Sequence, residues 1–137
     1  MGYVFSRCKL FGCSCLAIAA MFIGAMWYGP IFGKMWIGYM GKTEEQLKED
    51  FNPGKTYTLA FIGHFIALGI LANLFFYINV STIGAALHTA FWTWLGFTLA
   101  TNFITGLFEN KKFGLLIIDE VYHLVVFFVG AVIIYVW

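Results

Sequence analysis

An aspartate, a glutamate and a histidine stand near the start of an otherwise apolar run, LLIIDEVYHLVVFFVGAVIIYVW, from Leu115 to Trp137. Asp119 and His123 are four residues apart. On an α-helix that spacing leaves them about 40° apart around the axis and one turn apart along it, within mutual reach. An acid paired with an imidazole inside lipid suits a proton relay or an ion or ligand path, because an ionised side chain is expensive at the bilayer centre and is rarely kept without a use. A plainer role competes for the acids. A span needs about 20 residues, and counting back from Trp137 reaches Ile118, so Asp119 and Glu120 can sit at headgroup level and complement the positive end of a helix dipole. Glu120 points away from the face shared by Asp119 and His123.

Two further histidines lie in apolar runs. His64 and His123 each stand about eight residues inside a candidate span, counted from Lys55 and Lys112, which places both roughly 12 to 15 Å from the same surface. His88 enters from the opposite surface. A cage of three histidines is therefore not expected, whereas His64, Asp119 and His123 could meet in one layer of a helix bundle. Such a layer would suit zinc, a proton relay or a small solute, though the plainer role is that each imidazole hydrogen-bonds a neighbouring helix. No metal or other cofactor is expected. Thr89, Thr93, Thr98 and Thr101 have no base at a recognisable spacing, and Cys13 and Cys15 have no histidine nearby in sequence, so nucleophilic catalysis is not expected either.

The elements that must position these groups are membrane helices. The chain has 137 residues, of which 61% are hydrophobic, 20% aromatic and only 11% charged, and its mean hydropathy is +0.84. That composition belongs to an integral membrane protein and to no soluble class. A net charge of +1 leaves no basic surface for nucleic acid, and no phosphate loop or metalloprotease helix is present. Cys8, Cys13 and Cys15 have neither zinc-pair nor CxxC spacing; they suit packing as small hydrophobes or lipid attachment. The opening Met1-Gly2-Tyr3-Val4-Phe5-Ser6 formally fits the N-myristoylation pattern.

Four spans follow from the apolar runs, at about 10–29, 57–80, 83–107 and 115–137, in a single membrane domain covering 1–137. The first continues past Ala19 and Ala20 without a cleavage signal, so it is expected to be retained. Pro30 should end or kink it, because the residue before a proline is biased away from helical geometry. Trp27, Tyr28 and Trp36 read as interfacial anchors. Phe32 to Met40 reads as a short surface helix closed by Gly41, within a polar loop at 33–55. There Thr43 to Gln46 forms a capping box, Glu44 is placed to pair with Lys48, and Asn52-Pro53-Gly54 breaks the chain. Ser81 and Thr82 are nearly all that separates the second and third spans, which predicts a tight antiparallel hairpin. On the third span Ala86 with Ala90, and Gly96 with Ala100, are small-residue pairs for close helix approach, and His88 and Asn102 share a face.

Lys34, Lys42, Lys48, Lys55, Lys111 and Lys112 fall on one side of this arrangement, and Arg7 and Lys9 on the other. The positive-inside rule then puts the polar loop in the cytoplasm-equivalent compartment and the termini outside.

Trp27-Tyr28-Gly29-Pro30, Phe32-Gly33-Lys34, Trp36, Met40-Gly41 and Thr43-Glu44-Glu45 together resemble the first half of a small membrane family catalogued as domain of unknown function 1761. Trp94-Leu95-Gly96-Phe97 and Leu107-Phe108-Glu109 resemble its second half. The likeness runs from about Ile18 to Trp137. It implies four membrane helices and carries over no catalytic or binding residue.

The sequence thus predicts an all-α integral membrane protein with four transmembrane helices and a short interfacial helix between the first two. Its expected role is non-catalytic: an accessory or self-associating subunit in a plasma or organelle membrane, with the lipid bilayer and other membrane chains or copies of itself as partners. The rival reading is a small-solute or proton-handling oligomer that uses His64, Asp119 and His123.

Overall fold

The computed structural model describes residues 10–137, so the expectations placed on Gly2 and Cys8 lie outside it. All regular structure among these residues is helical. The elements are α1 (Leu10–Met26), a π-helical turn (Trp27–Ile31), α2 (Gly33–Met40), α3 (Glu44–Glu49), α4 (Pro53–Tyr77), α5 (Ile83–Thr93), a second π turn (Trp94–Leu99), α6 (Ala100–Phe108) and α7 (Phe113–Val136). Three stretches, Phe11–Ile31, Pro53–Tyr77 and Phe113–Val136, are long and apolar enough to cross a membrane. The fourth helical run, from Ile83 to Phe108, is divided by its π turn into α pieces of 11 and 9 residues.

Local chemistry explains where the helices stop. Thr43 caps α3: its side chain accepts from the Gln46 amide while the Gln46 side chain accepts from the Thr43 amide, the expected capping box. Asn52 accepts from Lys55 N–H and Pro53 opens α4. Glu44 does not pair with Lys48; the ion pairs near these turns are Lys42 with Asp50 at 3.8 Å and Lys111 with Glu109 at 2.7 Å. Both exposed pairs are of small energetic weight. α4 and α6 end in the same motif. Asn79 and Asn110 take left-handed φ of 52° and 53°, and the amides beyond them, Val80 and Lys111, reach back to the carbonyls of Phe75 and Gly106 at 3.0 and 2.9 Å. Each turn is thereby closed by backbone alone, and α4 ends at Tyr77 instead of running on to Val80.

The chain direction alternates from one long helix to the next. Gly12, early in α1, lies against the Trp137 ring, and Tyr135 Oη donates to Ser81 O at 3.4 Å. The end of α1, the start of α7 and the 109–112 turn lie at the other extremity, where the Tyr39 ring lies over Gly114. α7 is the hub: α1, α2, α4, α5 and α6 all pack on it. α4 packs chiefly on α1, and α5 on α7, with little contact between α4 and α5. The predicted hairpin is therefore formed by its turn, while each arm finds its main partner elsewhere.

The core runs along α7 through Tyr122, Val126, Phe127 and Ala131, packed by Leu16 and Ala20, Leu68 and Leu71, and Ala86, Ala90 and Trp94. Ala86 and Ala90 have no exposed surface, so this small-residue pair serves contact within the chain. Gly96 is exposed, with open space where a Cβ would stand, and Ala100 is exposed as well. Cys13 is fully buried, which leaves no room there for a lipid chain; Cys15 is a free thiol of intermediate exposure.

Candidate functional site

The corner after α1 builds the first wall of the site. Pro30 does not stop the helix at once; the chain widens into a π turn, with Phe32 N–H reaching the Trp27 carbonyl at 2.9 Å. It then bends at Phe32 and starts α2 so close to itself that a Cβ on Gly33 would stand 2.6 Å from the Tyr28 carbonyl oxygen. Gly41, with φ of 67°, ends α2 in the left-handed conformation glycine tolerates best. This fold-back lays α2 on the start of α7. The three residues expected to anchor at the membrane interface each place their polar atom against α7. Trp27 Nε1–H donates to Ile118 O at 3.1 Å, Tyr28 Oη–H to Asp119 Oδ1 at 2.8 Å, and Trp36 Nε1–H to the same Oδ1 at 3.2 Å.

The second wall comes from the other side of α7. Trp94 Nε1–H donates to Glu120 O at 2.9 Å, so indoles from two sides hold α7 backbone carbonyls within one turn. Asn102 Nδ2–H donates to Glu120 Oε1, also at 2.9 Å. Glu120 is only 4% exposed, and its second carboxyl oxygen, Oε2, has no hydrogen-bond partner among the described residues. A buried polar atom without a partner costs about 1 to 3 kcal/mol. Adjacent residues on a helix point about 100° apart, which is why Asp119 faces the α1–α2 corner while Glu120 faces α6.

Tyr122 forms the floor with the histidines on either side. Its hydroxyl lies 3.2 Å from Ala20 O and 3.0 Å from His64 Nε2, and His64 Nδ1 lies 2.7 Å from Ala60 O. The short contact to a carbonyl requires hydrogen on Nδ1. The His123 ring is 5.1 Å from that of Tyr122, and the Tyr28 ring meets Tyr122 edge-on at 5.2 Å. His64, Asp119 and His123 are thus gathered around Tyr122, with Asp119 hydrogen-bonded to Tyr28 and Trp36 rather than to His123.

Between the two walls is a crevice of about 480 Å³, lined by Tyr28 and Trp36, by Asn102 and Thr105, and by Asp119, Glu120 and His123 on α7. Lys111 stands at its polar-loop end. Among the described residues no three His, Cys, Asp or Glu side chains are arranged to hold a metal ion. Sequence reasoning missed Glu120, Asn102, Trp94 and Tyr122. Glu120 and Asn102 carried a signal, a carboxylate and a carboxamide in apolar runs, each needing a partner. The π turn hid their pairing. It changes the helical phase between His88 and Asn102, so the two do not share a face: His88 is exposed and accepts from Trp92 at 2.8 Å, while Asn102 turns to α7.

Fold and site together define an all-helical protein of membrane-type composition, built on one central helix with a carboxylate-lined crevice at the polar-loop end. The chain belongs to the family described as protein of unknown function DUF1761, which it matches over residues 15–135. No curated protein and no solved structure matches it.

Proposed function

We propose that this chain is a four-pass membrane protein that binds a small polar solute in the crevice beside Asp119 and Glu120, without bond-making chemistry. The observation that carries this reading is Glu120: a carboxylate buried within the protein, one oxygen held by Asn102 and the other without a partner among the described residues, on the wall of a crevice large enough for a small molecule. Four passes are supported by the alternating chain direction, and a cytoplasmic polar-loop end by the six lysines on that side against Arg7 and Lys9 on the other. The second crevice, about 350 Å³ beside Gly12, Phe75, Tyr135 and Trp137, lies toward the termini. The two crevices share no lining residue, so movement of a solute between them would need rearrangement or assembly.

Purified protein in lipid nanodiscs tests the reading through its thermal stability against cationic, neutral and anionic small solutes. At least one class should raise the melting temperature of the wild type and not that of a double variant, Asp119→Asn with Glu120→Gln. Equal shifts in both proteins, or none, would remove the crevice from consideration.

Exposed Gly96 and Ala100, with Phe97 79% exposed beside them, favour a second reading in which the chain is an accessory or self-associating subunit. Native mass spectrometry from nanodiscs should then show a dimer or a bound membrane partner that Gly96→Leu removes.

A further inference from the structure

We propose that the ligand of this crevice is a protonated amine that keeps at least one N–H; this rests on the solute-binding reading above. Glu120 Oε2 is buried and has no donor among the described residues, while Oε1 already accepts from Asn102. With Glu120 ionised, the group that completes the pair is a hydrogen donor. Asp119 adds a second carboxylate on the adjacent residue, and Lys111, the cation at the edge, is engaged by Glu109 at 2.7 Å. The local field favours a cation over an anion. A bare metal ion fits poorly, since among the described residues no three metal-ligating side chains converge.

The walls suit an organic cation. Tyr28 meets both Trp36 and Tyr122 edge-on, with ring centres 5.4 and 5.2 Å apart, so aromatic rings stand beside the carboxylates. Aromatic faces attract ammonium groups most strongly where water is excluded. Tyr28 and Trp36 both donate to Asp119 Oδ1 and fix that carboxylate in place beside Glu120, whose Oε2 is the buried acceptor. A quaternary ammonium would satisfy the rings but leave Oε2 unpaired; a primary or secondary ammonium satisfies both. The amine could belong to a free solute or to an aminophospholipid headgroup.

The test uses full-length protein in phosphatidylcholine nanodiscs, with tryptophan fluorescence as readout and benzylammonium, benzyl alcohol, benzoate and benzyltrimethylammonium as probes. Benzylammonium should bind at least about tenfold more tightly than the other three, the effect of one charge-assisted hydrogen bond. Glu120→Gln should abolish that preference, and Lys48→Ala should leave it unchanged. If Glu120→Gln fails to fold, the charge selectivity of the wild type and its weakening in Asp119→Asn still decide the matter. Equal binding of benzyl alcohol or benzoate would overturn the amine assignment and leave a solute site standing. Equal binding of benzyltrimethylammonium would overturn the role of the N–H. No binding of any probe would overturn both the assignment and the solute-binding reading. In nanodiscs that also contain phosphatidylethanolamine, retention of that lipid in native mass spectra and its displacement by benzylammonium would identify a headgroup. Binding of benzylammonium without retained lipid would identify a free amine.

Discussion

Glu120 and Asn102 form the most consequential polar pair in the molecule, because the carboxylate is buried and the carboxamide is its one hydrogen-bond donor among the described residues. Asn102→Leu leaves both carboxylate oxygens unpaired and should cost about 1 to 3 kcal/mol, read as a lower melting temperature in detergent. Asn73→Leu is the internal comparison. Its amide only returns to Gly69 O within α4, so a change within about 0.5 kcal/mol is expected. Tyr122→Phe removes the hydroxyl that lies between Ala20 O and His64 Nε2. The expected loss is about 1 kcal/mol. If Asn102→Leu proves as mild as Asn73→Leu, this pair does not hold α6 to α7.

At the scale of the element, the corner from Trp27 to Met40 is what turns three aromatic residues inward. It depends on the close approach at Gly33, where an added Cβ would meet backbone and not a movable side chain. Gly33→Ala should therefore destabilise by about 1 to 3 kcal/mol. The variant should also release Trp36 from Asp119, seen as a red shift of tryptophan emission. Gly29→Ala, four residues earlier in the same corner, has nothing within 4 Å to meet and should be tolerated within about 0.5 kcal/mol. Matching behaviour of the two variants would show that α2 does not depend on this contact for its placement.

For the whole molecule, the alternating helix directions place Lys48 and Lys111 at one extremity and Ser81 at the other. Single cysteines at these positions, in a background where Cys8, Cys13 and Cys15 are serine, should react with an impermeant maleimide in two groups. Lys48→Cys and Lys111→Cys should label from the cytoplasmic face, and Ser81→Cys from the opposite face. Labelling of Lys48→Cys and Lys111→Cys from opposite faces would mean that the run from Pro53 to Phe108 does not cross twice, and the four-pass topology would fall.

Much of this was determined by sequence alone, for reasons local to the chain. Apolar runs of helical length set the helices, the Thr43 to Gln46 spacing set the capping box, and Gly41 and Pro53 set ends. The five short elements around Trp27, Gly33 and Trp36, with those around Trp94 and Glu109, already pointed to the family. Asp119, His64 and His123 could be singled out because ionisable groups are rare in such runs. Tertiary structure decided what each of them meets. A period of 3.6 residues tells which residues share a face of an ideal helix, but not how far a π turn shifts that face, nor which neighbour covers it. Both π turns, at Trp27–Ile31 and Trp94–Leu99, sit where the sequence reading went astray: one aims Trp27 and Tyr28 into the protein, the other brings Asn102 round to Glu120. The importance of Glu120 is likewise a property of packing, since a carboxylate near a helix start is solvated unless separate parts of the chain close over it, as the second π turn and α6 do here through Trp94 and Asn102.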